Sequence, residues 1–257
     1  MVADFIAHLF TQNYQPSTIA SYISAISFVH KLNDLADPTE SFLIKKNLKG
    51  AQNLRKSCDT RLPITKDILS KIVNALSFVI PEHFNRTLLK AMMTLAFYCF
   101  LRIGEISVKK TSDKLSVMQV SNVIFEREQD EVVSMRVIIT SYKHSDLQPK
   151  TISIVKHSNN YLCPVSSLQQ YLSYASHIKG PLFQFACGSP VTYSYFSSSL
   201  KLLLEHIGLS PQLYKGHSFR IGAATSAASR GVSLSVIQSM GRWKSNAFKN
   251  YIRMHNF

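Results

Sequence analysis

The chain has 257 residues, 46% of them hydrophobic and 11% aromatic, enough to bury one large domain or two and to exclude a disordered chain. Its 29 Lys and Arg against 15 Asp and Glu give a formal charge of +14, which points to a polyanionic partner, either nucleic acid or an anionic membrane surface. The longest apolar run, LLKAMMTLAFYCFL at 88–101, contains a lysine and falls short of the roughly 20 residues that span a bilayer. With no basic leader or small-residue cleavage site at the start of the chain, membrane and secretory readings drop behind nucleic acid.

The first predicted helix with a clear apolar stripe is TIASYISAISFVHKL, through Ile19, Tyr22, Ile23, Ile26 and Val29. A second runs through ESFLIKKNLKGAQNLRK, where Lys45, Lys46, Lys49, Arg55 and Lys56 fall within about three turns and read as one basic stripe for a DNA backbone. The segment SCDTRLPIT breaks the pattern with polar residues and Pro63 and reads as a linker. Thr65 is the expected N-cap of the next helix, TKDILSKIVNALSFVI, and a buried helix follows over 85–102.

The pattern then changes to two short β-type runs, EVVSMRVIIT and KTISIV, separated by SYKHSDLQP, a polar connector that reads as a hairpin tip. Helical patterns return in PVSSLQQYLSYASHI, YFSSSLKLLLEHIG, SFRIGAATSAASRG, SLSVIQSMG and SNAFKNYIR. The expected fold is mostly α with a small antiparallel β-sheet: a helical domain at 1–60, then a larger domain at 63–257. Cys58, Cys99, Cys163 and Cys187 are too scattered for a zinc site or a disulfide scaffold, fit a reducing, intracellular compartment and read as small buried hydrophobes.

Chemistry concentrates late in the chain. In KGHSFRIGAATSAASRG a helix beginning near Ser218 places His217 at its mouth and Arg220 in its first turn, where unpaired N–H groups and the helix dipole favour an anion. The run Ala223, Ala224, Ser226, Ala227 and Ala228 lets such a helix approach its neighbours closely. Arg102 follows the buried apolar helix, and Glu105, three residues on, is spaced to hold its guanidinium. Lys143 occupies the hairpin tip, and MGRWKSNAFKNYIR carries the single tryptophan, Trp243, and then Tyr251.

In order, Arg102, Lys143, His217, Arg220, Trp243 and Tyr251 resemble the catalytic set of the tyrosine recombinase (phage integrase-like) family: Arg, Lys, His-x-x-Arg, His or Trp, and Tyr. The resemblance covers nearly the whole chain. Residues 63–257 resemble the catalytic domain, and 1–60 the helical core-binding domain. LRIGEI, GHSFRIGAAT and MGRWKSNAFKNYIR look most like the eukaryotic branch found in DIRS-type and related mobile elements, which implies nuclear residence; the spacing of eight from Trp243 to Tyr251 resembles that branch as well.

The resemblance implies strand transfer on duplex DNA through a 3′-phosphotyrosyl intermediate, by a homo-oligomer, dimer or tetramer, whose two domains close on the DNA. Tyr251 is then the nucleophile, Arg102 and Arg220 the phosphate clamp, His217 the proton acceptor, Lys143 the general acid and Trp243 a supporting donor, with Glu105 behind Arg102. Two arginines, a lysine and a histidine supply the positive charge, so no metal or other cofactor is expected. A type IB topoisomerase-like relaxase and a DNA-binding protein derived from a mobile element that no longer cuts are the alternative readings of the same residues.

Overall fold

The computed structural model describes residues 1–55, 59–110, 112–140, 148–157, 161–175 and 179–253, arranged as two units, Met1–Thr60 and Arg61–Phe257. In the first unit α1 (Val2–Thr11), α2 (Pro16–Leu32) and α3 (Phe42–Leu54) enclose Ile6, Leu9, Ile19, Ile23 and Ile44. Pro16 opens α2, where its fixed φ suits the first turn and no amide is lost. Ser41 caps α3 by accepting from the Ile44 amide at 3.4 Å. The apolar stripe expected on α2 is only half used: Ile19 and Ile23 are buried, whereas Tyr22 and Val29 lie open to solvent. Three helices around five core residues offer too little surface to cover it.

The larger unit begins inside the segment that reads as a linker. The Leu62 amide donates to the Leu213 carbonyl (2.7 Å) and the Ile64 amide to that of Ser218 (3.0 Å), and Ile64 is fully buried, so 62–64 belong to the core. Helix α4 (Lys66–Val79) starts as expected, with Thr65 Oγ1 accepting from the Ile68 amide at 3.2 Å. Helix α5 (His83–Tyr98) is buried along most of its length and packs against α7 and α9. It stops four residues earlier than its apolar pattern predicts, because Phe100 turns left-handed at φ 51°. Leu101 N–H then reaches back to the Ala96 carbonyl (2.9 Å) and Phe100 N–H to that of Phe97 (3.3 Å), the paired closure of a Schellman motif. A short helix, α6 (Ile103–Ile106), follows.

The sheet is antiparallel in the order β1 (Val123–Glu128), β2 (Glu131–Ile139), β3 (Lys150–Val155). Met135 and Val137 pair with Phe125 and Val123 on one side and with Ile154 and Ile152 on the other. Strand β1 is missed by the sequence pattern, as are the helices α1 and α6. Its turn into β2 uses Gln129 (φ 47°) and Asp130 (φ 68°), two left-handed residues without the Asn-Gly signature that marks such a turn. The expected hairpin tip, with Lys143, lies outside the described residues, as do Lys56 and Cys58.

Four helices complete the unit: α7 (Pro164–Tyr174), α8 (Tyr193–His206), α9 (Gly216–Ser229) and α10 (Leu234–Met240). SNAFKNYIR, expected as an α-helix, forms a 3₁₀ helix over Asn246–Tyr251. Helix α9 runs through the core with Phe219, Ile221, Ala223, Ala224 and Ala227 buried. A Cβ on Gly222 would lie 1.8 Å from the Ile64 carbonyl oxygen, so the small residues of α9 do admit a neighbouring backbone. Cys99 and Cys163 are buried as expected; Cys187 is instead exposed on a loop beside Ser189. Among the described residues no helix is long and apolar enough to cross a membrane.

Candidate functional site

The C-terminal end of α5 is the foundation of the site. Its Schellman turn exposes the Cys99 and Phe100 carbonyls inward, where the negative end of the helix dipole favours cations. Two arginines from distant parts of the chain take them: Arg242 donates through Nη1 to Cys99 O (3.2 Å) and through Nη2 to Phe100 O (3.3 Å), and Arg220 Nη1 donates to Phe100 O (3.1 Å). The left-handed conformation costs a non-glycine residue roughly 1–2 kcal/mol, which these charge-assisted bonds offset.

Arg102 follows this turn as the residue before α6. Glu105 holds its guanidinium as expected, Oε1 to Nη1 at 2.9 Å, and Oε2 also accepts the Arg102 amide at 3.0 Å. What sequence reasoning misses is that Glu105 is shared: Oε2 lies 2.8 Å from Arg242 Nη2. The Arg242 side chain is 1% exposed, and its backbone is left-handed at φ 57°. The available signal is its position between Gly241 and the only tryptophan, but nothing local distinguishes it from a surface arginine.

Helix α9 begins at Gly216, two residues earlier than expected, so His217 stands within its first turn and Arg220 in its second. Ser218 Oγ accepts the Lys215 amide at 3.0 Å and fixes this start. His217 is half-buried and lies three residues before Arg220, on the same face of the helix. Arg220, by contrast, is fully buried. Its Nη2 donates to the Gly241 carbonyl, and its Cζ sits 4.3 Å from the Trp243 ring centroid. Desolvation, with the like charges of Arg102 and Arg242 nearby, lowers its pKa to about 9, so it still carries its proton at neutral pH.

Trp243 packs between Phe100 (6.3 Å) and Phe248 (6.1 Å), with the Tyr251 ring centroid 5.0 Å from its own. A Cβ on Gly241 would fall 1.5 Å from the indole, so only glycine admits this placement. Tyr251 ends the 3₁₀ helix with its ring 5.9 Å from Arg220 Cζ. Arg220 Nε and Trp243 Nε1 are buried donors with no acceptor among the described residues. Two desolvated N–H groups and three guanidiniums facing a single carboxylate make a place that an anion would stabilise.

Arg102, Glu105, Arg220, Trp243 and Tyr251 are thus brought together, with Arg242 added. In the smaller unit the expected stripe is divided. Lys45 and Lys49, one helical turn apart, are exposed, and Lys46 lies over the Phe42 ring at 5.0 Å. Arg55 leaves the stripe altogether, because α3 ends at Leu54. Its guanidinium stacks 4.0 Å from the Phe10 ring and donates to Asn13 Oδ1 (2.9 Å) and the Tyr14 carbonyl (3.3 Å). Among the described residues no cluster of three or more His, Cys, Asp or Glu could hold a metal ion.

Solved structures similar to this chain include site-specific recombinases and integrases. The XerH site-specific recombinase, bound to a palindromic difH substrate in a post-cleavage complex, superposes with a TM-score of 0.66 at 16% identity over 98% of this chain and 67% of its own. The Tn1549 transposon integrase with circular intermediate DNA gives 0.58 at 14% identity, over 100% and 81%. A lambda integrase dimer bound to a COC′ core site gives 0.57 at 14%, over 100% and 65%. No protein-family model and no curated protein sequence matches the chain. At these identities the likeness is one of fold.

Proposed function

We propose that the protein is a tyrosine recombinase that cuts and rejoins duplex DNA through a 3′-phosphotyrosyl intermediate. The observation that carries this reading is the stack of buried Arg220 on half-buried Trp243, with a buried, acceptor-less N–H on each member, set against the ring of Tyr251. The fold shared with DNA-bound recombinases and integrases supports it.

Tyr251 Oη attacks the scissile phosphorus as the bond to the 5′ oxygen breaks. His217 takes the phenolic proton, and Lys143 returns one to the departing 5′ oxygen. Charge grows on the non-bridging oxygens during this step. Arg102 and Arg220 receive it through planar forks already fixed by Glu105 and by the α5 carbonyls, so little reorganisation is needed at the moment of reaction. An approaching phosphate also raises the depressed Arg220 pKa, which strengthens the pairing. Because the phosphotyrosine keeps the energy of the broken ester, a second 5′-hydroxyl reseals the strand without ATP.

The smaller unit is assigned to the DNA backbone through Lys45, Lys46 and Lys49, and the working form is a homo-oligomer on DNA. The wording of LRIGEI and MGRWKSNAFKNYIR extends the reading to the eukaryotic mobile-element branch, and so to nuclear residence; none of the solved structures named above bears on that extension.

The test is a nicked duplex from which the cleaved strand cannot religate, resolved on a denaturing gel and by peptide mapping, with supercoiled plasmid alongside. A covalent adduct on Tyr251, absent in Tyr251→Phe and formed equally in EDTA, is the expected result. Salt-sensitive DNA binding without an adduct overturns the assignment in favour of a binding protein, and relaxation of plasmid without strand exchange favours a relaxase.

A further inference from the structure

We infer that Thr225 is a positioning residue for Tyr251, latching the nucleophile to the helix that carries Arg220; the inference rests on the reading of Tyr251 given above. Thr225 is on α9, five residues after Arg220, and is buried. Its Oγ1 donates to the Tyr251 carbonyl at 3.2 Å and accepts the Arg253 amide at 3.1 Å, so one hydroxyl bridges the backbone on both sides of Ile252. A hydroxyl has one proton to give, and this geometry uses it and a lone pair together.

A threonine within a helix ordinarily returns its hydroxyl to a carbonyl three or four residues back. Thr94 of α5 does so, bonding Lys90 O at 2.8 Å. Thr225 instead spends both hydrogen bonds on a segment 26 and 28 residues further along the chain. That segment needs them. Tyr251 is the last residue of a 3₁₀ helix, whose hydrogen bonds are poorly aligned, and Ile252 beyond it is already extended at φ −96°, ψ 112°. Trp243 positions the ring, at 5.0 Å, but a ring contact alone leaves the backbone free to slide. With Thr225 engaged, the reach of the Tyr251 phenol toward the Arg220 clamp is set by one rigid element, and the branched Cβ of threonine holds its hydroxyl in a narrow range of χ1.

The experiment compares Thr225→Val, which keeps the shape and removes the hydroxyl, with Thr225→Ser, which keeps the hydroxyl and removes a methyl. Two quantities are read: the single-turnover rate of adduct formation at saturating nicked duplex, and iodide quenching of Trp243, the only tryptophan in the chain. A misplaced nucleophile slows the step by about 10- to 100-fold. Thr225→Val is expected to show that loss with unchanged DNA affinity and with more quenching of Trp243. Thr225→Ser is expected to stay close to the unsubstituted protein in both. Should Thr225→Val fold poorly, Arg253→Pro removes the partner amide without altering α9, and Ile252 already has the extended backbone a following proline requires.

Equal slowing by Val and Ser would assign the effect to methyl packing and overturn the latch. So would a Val variant that cleaves at the original rate. If the unsubstituted protein forms no adduct, the nucleophile reading fails, yet the quenching comparison still decides whether Thr225 holds Tyr251: no change in the Val variant refutes it.

Discussion

Lys45 and Lys49 stand on α3 with their side chains in water, whereas Arg220 and Arg242 of the larger unit are shut away from solvent and Arg102 is only partly exposed. The two settings give positive charge different uses. An exposed ammonium is mobile and screened by salt, so it contributes attraction to a polyanion with little geometric demand. A guanidinium buried on helix carbonyls, a shared carboxylate and an indole has lost that freedom during folding, and its field at the site is strong because water is absent. The first setting suits affinity, the second suits stabilising a transition state.

That contrast breaks most visibly at Arg220. Arg220→Ala should lower single-turnover cleavage by about 10²–10³-fold while leaving DNA affinity within a few-fold, and Arg220→Lys should not rescue it, since an ammonium cannot reproduce the fork that spans Phe100 O and Gly241 O. Comparable cleavage by the alanine variant, measured on the nicked duplex, would contradict the role given to burial. Next in size, Arg242→Met should cost about 3 kcal/mol of stability in urea denaturation, because it strips a buried partner from Glu105 and leaves the Cys99 carbonyl without its donor. The loss should shrink when Glu105→Gln is added.

On the other side of the comparison, Lys45→Ala with Lys49→Ala should reduce the slope of log affinity against log salt by about 2, near 0.9 for each phosphate contact, with the cleavage rate at saturating DNA unchanged. A drop in that rate would mean the exposed lysines do more than attract. The smallest effect is expected for Arg55→Met. Its guanidinium is committed to Phe10, Asn13 and Tyr14, so thermal melting should register a loss of about 1 kcal/mol or less, and the salt slope should stay as it was.

Much of the larger unit is legible from local chemistry. Thr65 caps α4 where a threonine precedes an apolar period, and β2 and β3 follow from their runs of branched residues. Two of the errors share a source. Phe100, Gln129 and Asp130 all adopt left-handed backbones, yet their side chains carry no signal for it, so the end of α5 and the turn between β1 and β2 go unread. Arg55 reads as one more lysine-like charge because sequence spacing says nothing about where α3 ends.

Composition and residue order already carry the ingredients: a basic chain, a helical framework with a small antiparallel sheet, and the ordered residues Arg102, His217, Arg220, Trp243 and Tyr251, whose chemistry suits phosphate. How they are held follows from packing. It brought the Cys99 and Phe100 carbonyls to Arg220 and Arg242, made Glu105 serve two guanidiniums, and tied Tyr251 to Thr225. These contacts join residues 26 to 143 positions apart, except for Arg102 and Glu105, which are near neighbours. Side-chain type specifies what a group can bond. Which partner it meets, and whether water is present when it does, depends on how the whole unit packs.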